Sequence, residues 1–309
     1  MRGALTLWFA VSVTFLLVRL LPGDPALAVA DPGMTEAAHR ELLHAYGLDR
    51  PLWVQYGAYL RELAGGNLGL SFRQQAPVLR VLAERLPWTL LLTGSALLLT
   101  LVAGVPLGVL AAVRANGAFD RAVQMLSVLG QSLFVPTVGI VLLYGFGVLL
   151  GWLPIGGAVD RDTHGVGTVL SIARHLLLPA FSLMLVQIGS YVLTVRTTLI
   201  DCLREDYCDL ARAKGVRPGA IVWKHALRNA LLPTTTLVGL QLGFLVSGAV
   251  LTETIFAYPG VGRAIFEAVG QLDYPVLQGA FVLLAATVVA ANLLTDVAYG
   301  LLDPRVRLR

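Results

Sequence analysis

The stretch from Trp88 to Ala112 reads WTLLLTGSALLLTLVAGVPLGVLAA, without one charged side chain. A helix needs about 20 largely apolar residues to cross ~30 Å of hydrocarbon at ~1.5 Å per residue, and this stretch is long enough. Five further candidates lie near 3–21, 123–152, 176–195, 231–252 and 277–301. Composition agrees, because 56% of the 309 residues are hydrophobic and 14% are charged, against roughly 25% charged in a soluble domain. The expected fold class is an all-α integral membrane protein with about six transmembrane helices. The first candidate is followed by Arg19 and Pro22-Gly23-Asp24-Pro25 in place of a small-residue cleavage site, so it reads as a retained helix and not a signal peptide.

Short loops rich in Lys and Arg resist translocation, which sets an orientation. The expected cytoplasmic set is Arg2, Arg114, Arg121, the cluster Arg196, Arg204, Arg212, Lys214, Arg217, Lys224 and Arg228, and Arg305, Arg307 and Arg309. Both termini are then cytoplasmic, and the short outer segments hold Arg161, Arg174 and Arg263. The mixed-charge stretch 22–87 is the expected external region, whose Trp53, Tyr56 and Tyr59 suit a layer against the outer leaflet or neighbouring helices. Residues 1–87 thus group as a first helix with an external segment, and 88–309 as a five-helix core with a cytoplasmic loop at 197–230. The net charge of +4 follows from this sorting by membrane side, so no nucleic-acid partner is invoked.

Several chemistries are excluded or disfavoured. The two lysines, Lys214 and Lys224, precede Gly215 and His225, so no phosphate-binding loop of the Gly-x-x-x-x-Gly-Lys-Ser/Thr type exists. Cys202 and Cys208 are too few for a disulfide framework or a four-thiolate zinc site, and they read as bystanders. No His-Glu-x-x-His pair occurs among the five histidines, and Ser132 lacks the second glycine of a nucleophile elbow. No catalytic residue, metal site or cofactor of the chain's own is expected. Glu253 and Asp296 lie toward helix ends, whereas a gradient-driven carrier keeps polar or ionisable ligands near the midplane.

The most informative segment runs Arg204-Glu205-Asp206-Tyr207-Cys208-Asp209-Leu210-Ala211-Arg212-Ala213-Lys214-Gly215 and on through Val216-Arg217-Pro218 to Asn229. Tyr207, Leu210, Ala211 and Lys214 recur at helical spacing, with acids in the early turns and bases in the last, as the helix macrodipole favours. Gly215 suits a left-handed C-terminal cap and Pro218 the first turn of a second helix. A short helix, a turn and another helix should therefore project into the cytoplasm, with the face of Tyr207, Leu210 and Ala211 docking on a protein. A plain basic loop touching anionic lipid is the alternative.

The run Tyr207 to Gly215, with His225-Ala226-Leu227-Arg228-Asn229-Ala230-Leu231-Leu232-Pro233, resembles the coupling loop of binding-protein-dependent ABC importer permeases of the dipeptide, oligopeptide and nickel subgroup. The wider family's Glu-Ala-Ala is replaced here by Asp209-Leu210-Ala211. Tyr46-Gly47-Leu48-Asp49-Arg50-Pro51, Glu253 to Gly262, Asp273-Tyr274-Pro275-Val276 and Leu302-Asp303-Pro304-Arg305 resemble further segments of that subgroup, in order along nearly the whole chain. The resemblance implies a type I importer permease fold with a cytoplasmic coupling helix. It also implies a second, homologous but different, permease chain, two ATPase subunits carrying ATP and Mg2+, and an extracytoplasmic substrate-binding protein, in the bacterial inner membrane. Transport of peptides by alternating access is the implied function. A nickel or nickel-chelate cargo, or a secondary carrier or channel acting alone, are the alternatives.

Polar stripes suggest a pathway face: Gln124, Ser127 and Gln131 on the third span, Gln187, Tyr191 and Thr194 on the fourth, and Thr234, Gln241, Gly248 and Thr252 on the fifth. Ordinary packing between membrane helices explains the same residue types, so both readings stand.

Overall fold

The computed structural model describes residues 2–20, 50–160, 163–244 and 249–302, and the regular elements there are helices. In order they are α1 (Arg2–Leu20), α2 (Leu52–Ala64), α3 (Val78–Val113), α4 (Ala118–Ser132) and α5 (Val135–Leu142), which continues as a π-helical turn, Leu143–Leu149. Then come α6 (Val166–Cys202), α7 (Asp206–Ala213), and α8 over 218–230, with a π-helical middle at Ile221–Ala226. The chain continues with α9 (Leu232–Phe244), α10 (Val250–Ile255), α11 (Val261–Gly270) and α12 (Tyr274–Leu302). Residues 22–49, Arg161, Gly248, Asp303, Pro304, Arg305, Arg307 and Arg309 lie outside the described residues, as do the side chains of Arg2, Arg19 and Asp296.

Among the described residues, α3, α6 and the Tyr274–Leu293 part of α12 are long and apolar enough to cross a membrane. The first expected span is α1, with a shorter apolar stretch at Leu5–Leu16. The expected span 231–252 corresponds to α9 and the start of α10, with 245–248 outside the described residues. The expected span 123–152 needs correction: it is two helical arms, Ala118–Ser132 and Val135–Leu149, bent by 100°. Leu133 and Phe134 are extended between them, and Pro136 stands in the first turn of α5. A proline has no N–H to donate and its ring clashes with the carbonyl four residues earlier, which favours a break at Pro136 but does not dictate one, since α3 runs through Pro106 and α6 through Pro179.

The chain divides into two compact units, Met1–Thr89 with Pro259–Ala290, and Leu90–Tyr258 with Ala291–Arg309. In the first, the ring of Phe15 on α1 lies 5.3 Å from Tyr56 and 5.5 Å from Tyr59 of α2, and Ser12 and Tyr56 share a 2.6 Å hydrogen bond. The aromatic residues expected to form a layer thus meet α1, while Trp53 stays exposed. At the start of α12, the buried Asp273 carboxylate accepts from Ser71 Oγ at 2.5 Å and from the Phe72 and Arg73 amides at 3.2 and 3.4 Å.

In the second unit α6 is the central element. A Cβ at Gly108 of α3 would lie 2.8 Å from Val195 Cβ, and one at Gly189 of α6 would overlap the Ser127 carbonyl of α4. Small residues that let backbones meet are how membrane helices gain contact without a hydrophobic driving force. Near the other end of α4, the fully buried Asp120 pairs with Arg196 of α6. The segment before α6 is tied down by Gly157 N–H donating to Phe256 O at 3.0 Å and by Ser171 Oγ donating to Asp160 at 2.8 Å.

Candidate coupling site

The chain leaves α6 through a tight turn in which the Arg204 and Glu205 amides donate to Asp201 and Cys202 carbonyls at 3.0 and 3.3 Å. Glu205 is extended, and its carbonyl accepts from Cys208 and Asp209 N–H to begin α7. Asp206 and Asp209 occupy the first turn and Arg212 the last, so side-chain charge opposes the helix dipole at both ends. The end of α7 is a complete Schellman motif. Gly215 has φ +74°, its N–H donates to Arg212 O at 2.9 Å, and Val216 N–H donates to Ala211 O at 3.1 Å. Pro218 then opens α8, where its missing N–H costs nothing. The helix, turn and helix expected from the sequence are present.

Burial sorts the residues of α7 into two faces. Cys208 and Ala211 pack into a core with Ile221, Ala226, Leu227 and Ala230 of α8, Val109 and Ala112 of α3, and Val195 and Leu199 of α6; Tyr207 and Val216 lie against it. Asp209, Leu210, Arg212, Ala213, Lys214 and Gly215 are exposed, Leu210 at 57%. The expectation that Tyr207 and Ala211 share an outward face with Leu210 is therefore corrected. Helical spacing identified the apolar face, but the chain's own helices cover it. Burial pushes the Cys208 thiol and the Tyr207 phenol up from their ordinary pKa values. Cys208 is thus a packing residue and more than a bystander.

Two contacts fasten the loop to α6. Arg212 donates to the Leu203 carbonyl at 2.8 Å, beside its ion pair with Asp209, and Thr198 Oγ1 donates to Ala230 O at 2.9 Å. An open concavity of about 450 Å³ lies between the ends of α3 and α6 and α7, lined by Ala112, Ala115, Ile200, Leu203, Arg204, Asp209 and Arg212.

The polar stripe residues divide. Ser127 is buried, and Gln131 donates to its carbonyl at 3.1 Å and accepts from Ser190 Oγ at 3.2 Å, so both take part in the contact of α4 with α6. Gln124 donates to Asp120 at 3.0 Å. Thr194 is half-buried, its carbonyl accepting from Thr198 at 2.6 Å, and Gln241 is half-buried on α9. The Gln187 side-chain oxygen and the hydroxyls of Tyr191, Thr234 and Thr252 are buried with no hydrogen-bond partner among the described residues. Sequence reading had missed Asp120 as a partner of Arg196. Its signal was an acid in an otherwise basic inner segment, but the two lie 76 residues apart, and spacing along one helix cannot pair them.

Two family models match this chain: the inner membrane component of binding-protein-dependent transport systems over residues 104–308, and the N-terminal part of such a membrane component over 1–93. A di/tripeptide transport system permease protein of Pseudomonas aeruginosa is 39% identical over 97% of this chain and 95% of its own. The dipeptide transport system permease protein of Escherichia coli is 36% identical, covering 96% and 93%. An inward-facing MetNI methionine ABC transporter structure aligns with a TM-score of 0.59 at 19% identity, over 73% of this chain and 97% of that one.

This chain belongs to the family of inner membrane components of binding-protein-dependent transport systems. Within it the chain stands with the ABC importer permeases of the dipeptide and oligopeptide subgroup, as a multi-pass membrane subunit of the type I permease fold.

Proposed function

We propose that this chain is the transmembrane permease subunit of an ATP-driven importer that moves short peptides into the cell by alternating access. The observation that carries this reading is the 39% identity, over 97% of the chain, to a relative named a di/tripeptide permease. Nothing comparable favours nickel or a carrier acting alone. The partners are two ATPase subunits, which hold ATP and Mg2+, a second and different permease chain, and an extracytoplasmic binding protein. Both termini and the α7 loop face the cytoplasm, and this subunit catalyses no hydrolysis.

Coupling runs through the outward face of α7. Asp209, Leu210 and Ala213 enter a groove on an ATPase subunit, while Cys208 and Ala211 root the helix in its own protein. ATP-driven closure of the ATPases then moves α6 and the helices packed on it. A ligand shifts a conformational equilibrium only by its differential affinity for the two states, so ATP must bind one arrangement better. The pathway uses the buried polar atoms of Gln187, Tyr191, Thr234 and Thr252 that have no hydrogen-bond partner among the described residues, because such atoms inside a membrane protein are retained where water or substrate meets them.

The experiment is assembly and transport in liposomes with both ATPases, the second permease and the binding protein. Leu210→Glu should abolish ATPase co-purification while the subunit still inserts. Ala211→Trp is the wrong probe, since overpacking its buried site perturbs the fold itself. Calorimetry of the cognate binding protein should register di- and tripeptides and not Ni2+. Gradient-driven uptake by this chain alone would overturn the reading.

A further inference from the structure

The buried Asp120 carboxylate is saturated. Oδ1 accepts from Arg196 Nε and, at 3.0 Å, from Gln124 Nε2. Oδ2 accepts from an Arg196 terminal nitrogen at 2.6 Å and from Asn116 N–H at 2.8 Å. Asp120 is 0% exposed and the Arg196 side chain 13%. Two parallel bonds from one guanidinium fix angle as well as distance. Pulling this pair apart would strand a charge away from water, which is strongly disfavoured.

The position of Arg196 gives the pair a consequence beyond stability. It stands about two helical turns before Leu203, whose carbonyl holds Arg212 of α7. Further along the same two helices, Gly189 lies against the Ser127 carbonyl. Helix α4 is thus held on α6 at two separated points, one ionic and one steric. The ionic one is next to the root of the coupling loop.

We propose that Asp120 and Arg196 are positioning residues for transport coupling: their ion pair makes α4 and α6 one rigid unit, so that displacement of α7 moves α4 together with α6. This rests on the reading of α7 as the ATPase-docking element. A polar face of α4, with Gln124, Ser127 and Gln131, then travels with the driven helix instead of lagging behind it.

The test uses the full transporter in liposomes with four variants: Asp120→Asn, Arg196→Gln, both together, and the exchange Asp120→Arg with Arg196→Asp. Each single variant should cost about tenfold or more in dipeptide uptake together with part of the assembly, since it strands the buried charge that remains. The exchange should restore uptake. Where it does not assemble, the doubly neutral variant decides, because it leaves no buried charge unpaired: hydrolysis kept with uptake lost supports the proposal. Wild-type uptake by that variant overturns it, as does a parallel fall of co-purification, hydrolysis and uptake in the same variant. Spin labels at the exposed positions 121 and 197 should report one distance with and without ATP in the wild type; a distance that shifts between states also overturns it. Failure of the docking reading would be seen separately, as ATPases that still co-purify with Leu210→Glu.

Discussion

Two loops in this molecule are each pinned to a helix end by one charged side chain, and they are built to opposite ends. Between α2 and α3, residues 71–73 close over Asp273 at the N-terminal end of α12. Between α6 and α8, α7 is held by Arg212 at the C-terminal end of α6. Both use the sign that the helix dipole favours, an anion at the start and a cation at the finish. Asp273 is 3% exposed and has three protein donors. The Arg212 and Asp209 side chains are 49% and 64% exposed. The first loop has traded its solvent for fixed partners and cannot move without losing them. The second keeps its charges in water, and with them a surface that another protein can take.

That contrast orders the effects of substitution. Asp273→Ala should be the most damaging, because it orphans a buried hydroxyl and two amides; a loss of about 3 kcal/mol or more is expected, read as the denaturation midpoint of the purified subunit in detergent. Gly215→Val comes next, at about 1–2 kcal/mol from the left-handed backbone alone, since a Cβ there meets nothing within 4 Å. Gly215→Ala should then cost almost as much, and a harmless Gly215→Val would show that the α7 cap is loose. Arg212→Gln should cost under about 1 kcal/mol and less still at high salt, as for an exposed pair. A cost equal to that of Asp273→Ala would erase the distinction between the loops. Leu210→Glu should leave stability within about 0.5 kcal/mol, because the side chain is already in solvent, and should be felt only in ATPase co-purification.

What was legible in the sequence was whatever a local rule decides. Gly215 followed by Pro218 announces a left-handed cap and a new helix, and both are present. Length and apolarity announce α3 and α6. The break at 133–136 hides inside an unbroken hydropathy signal, although Pro136 was in view. The inward turn of Ala211 was not legible, because an amphipathic helix states that one face is covered and not whether its own chain or a partner covers it. The pairing of Asp120 with Arg196 joins segments whose adjacency only the packing of α4 on α6 creates.

The break between α4 and α5 has a consequence for depth in the bilayer. With 15 residues, α4 rises about 22 Å, short of the ~30 Å that hydrocarbon occupies. An arm of that length cannot reach from one interface to the other by itself, so a crossing by this segment needs both arms and the corner between them. Both side chains there are large, apolar and exposed, which suits contact with acyl chains. The backbone there is partly satisfied locally, the Gly130 carbonyl accepting from Leu133 N–H and the Phe134 carbonyl from Val138 N–H at 3.2 Å each, and irregular backbone inside hydrocarbon is tolerated only against protein or water. Any carbonyl left open at such a corner would need protein or water beside it, while Leu133 and Phe134 offer the opposite side to lipid.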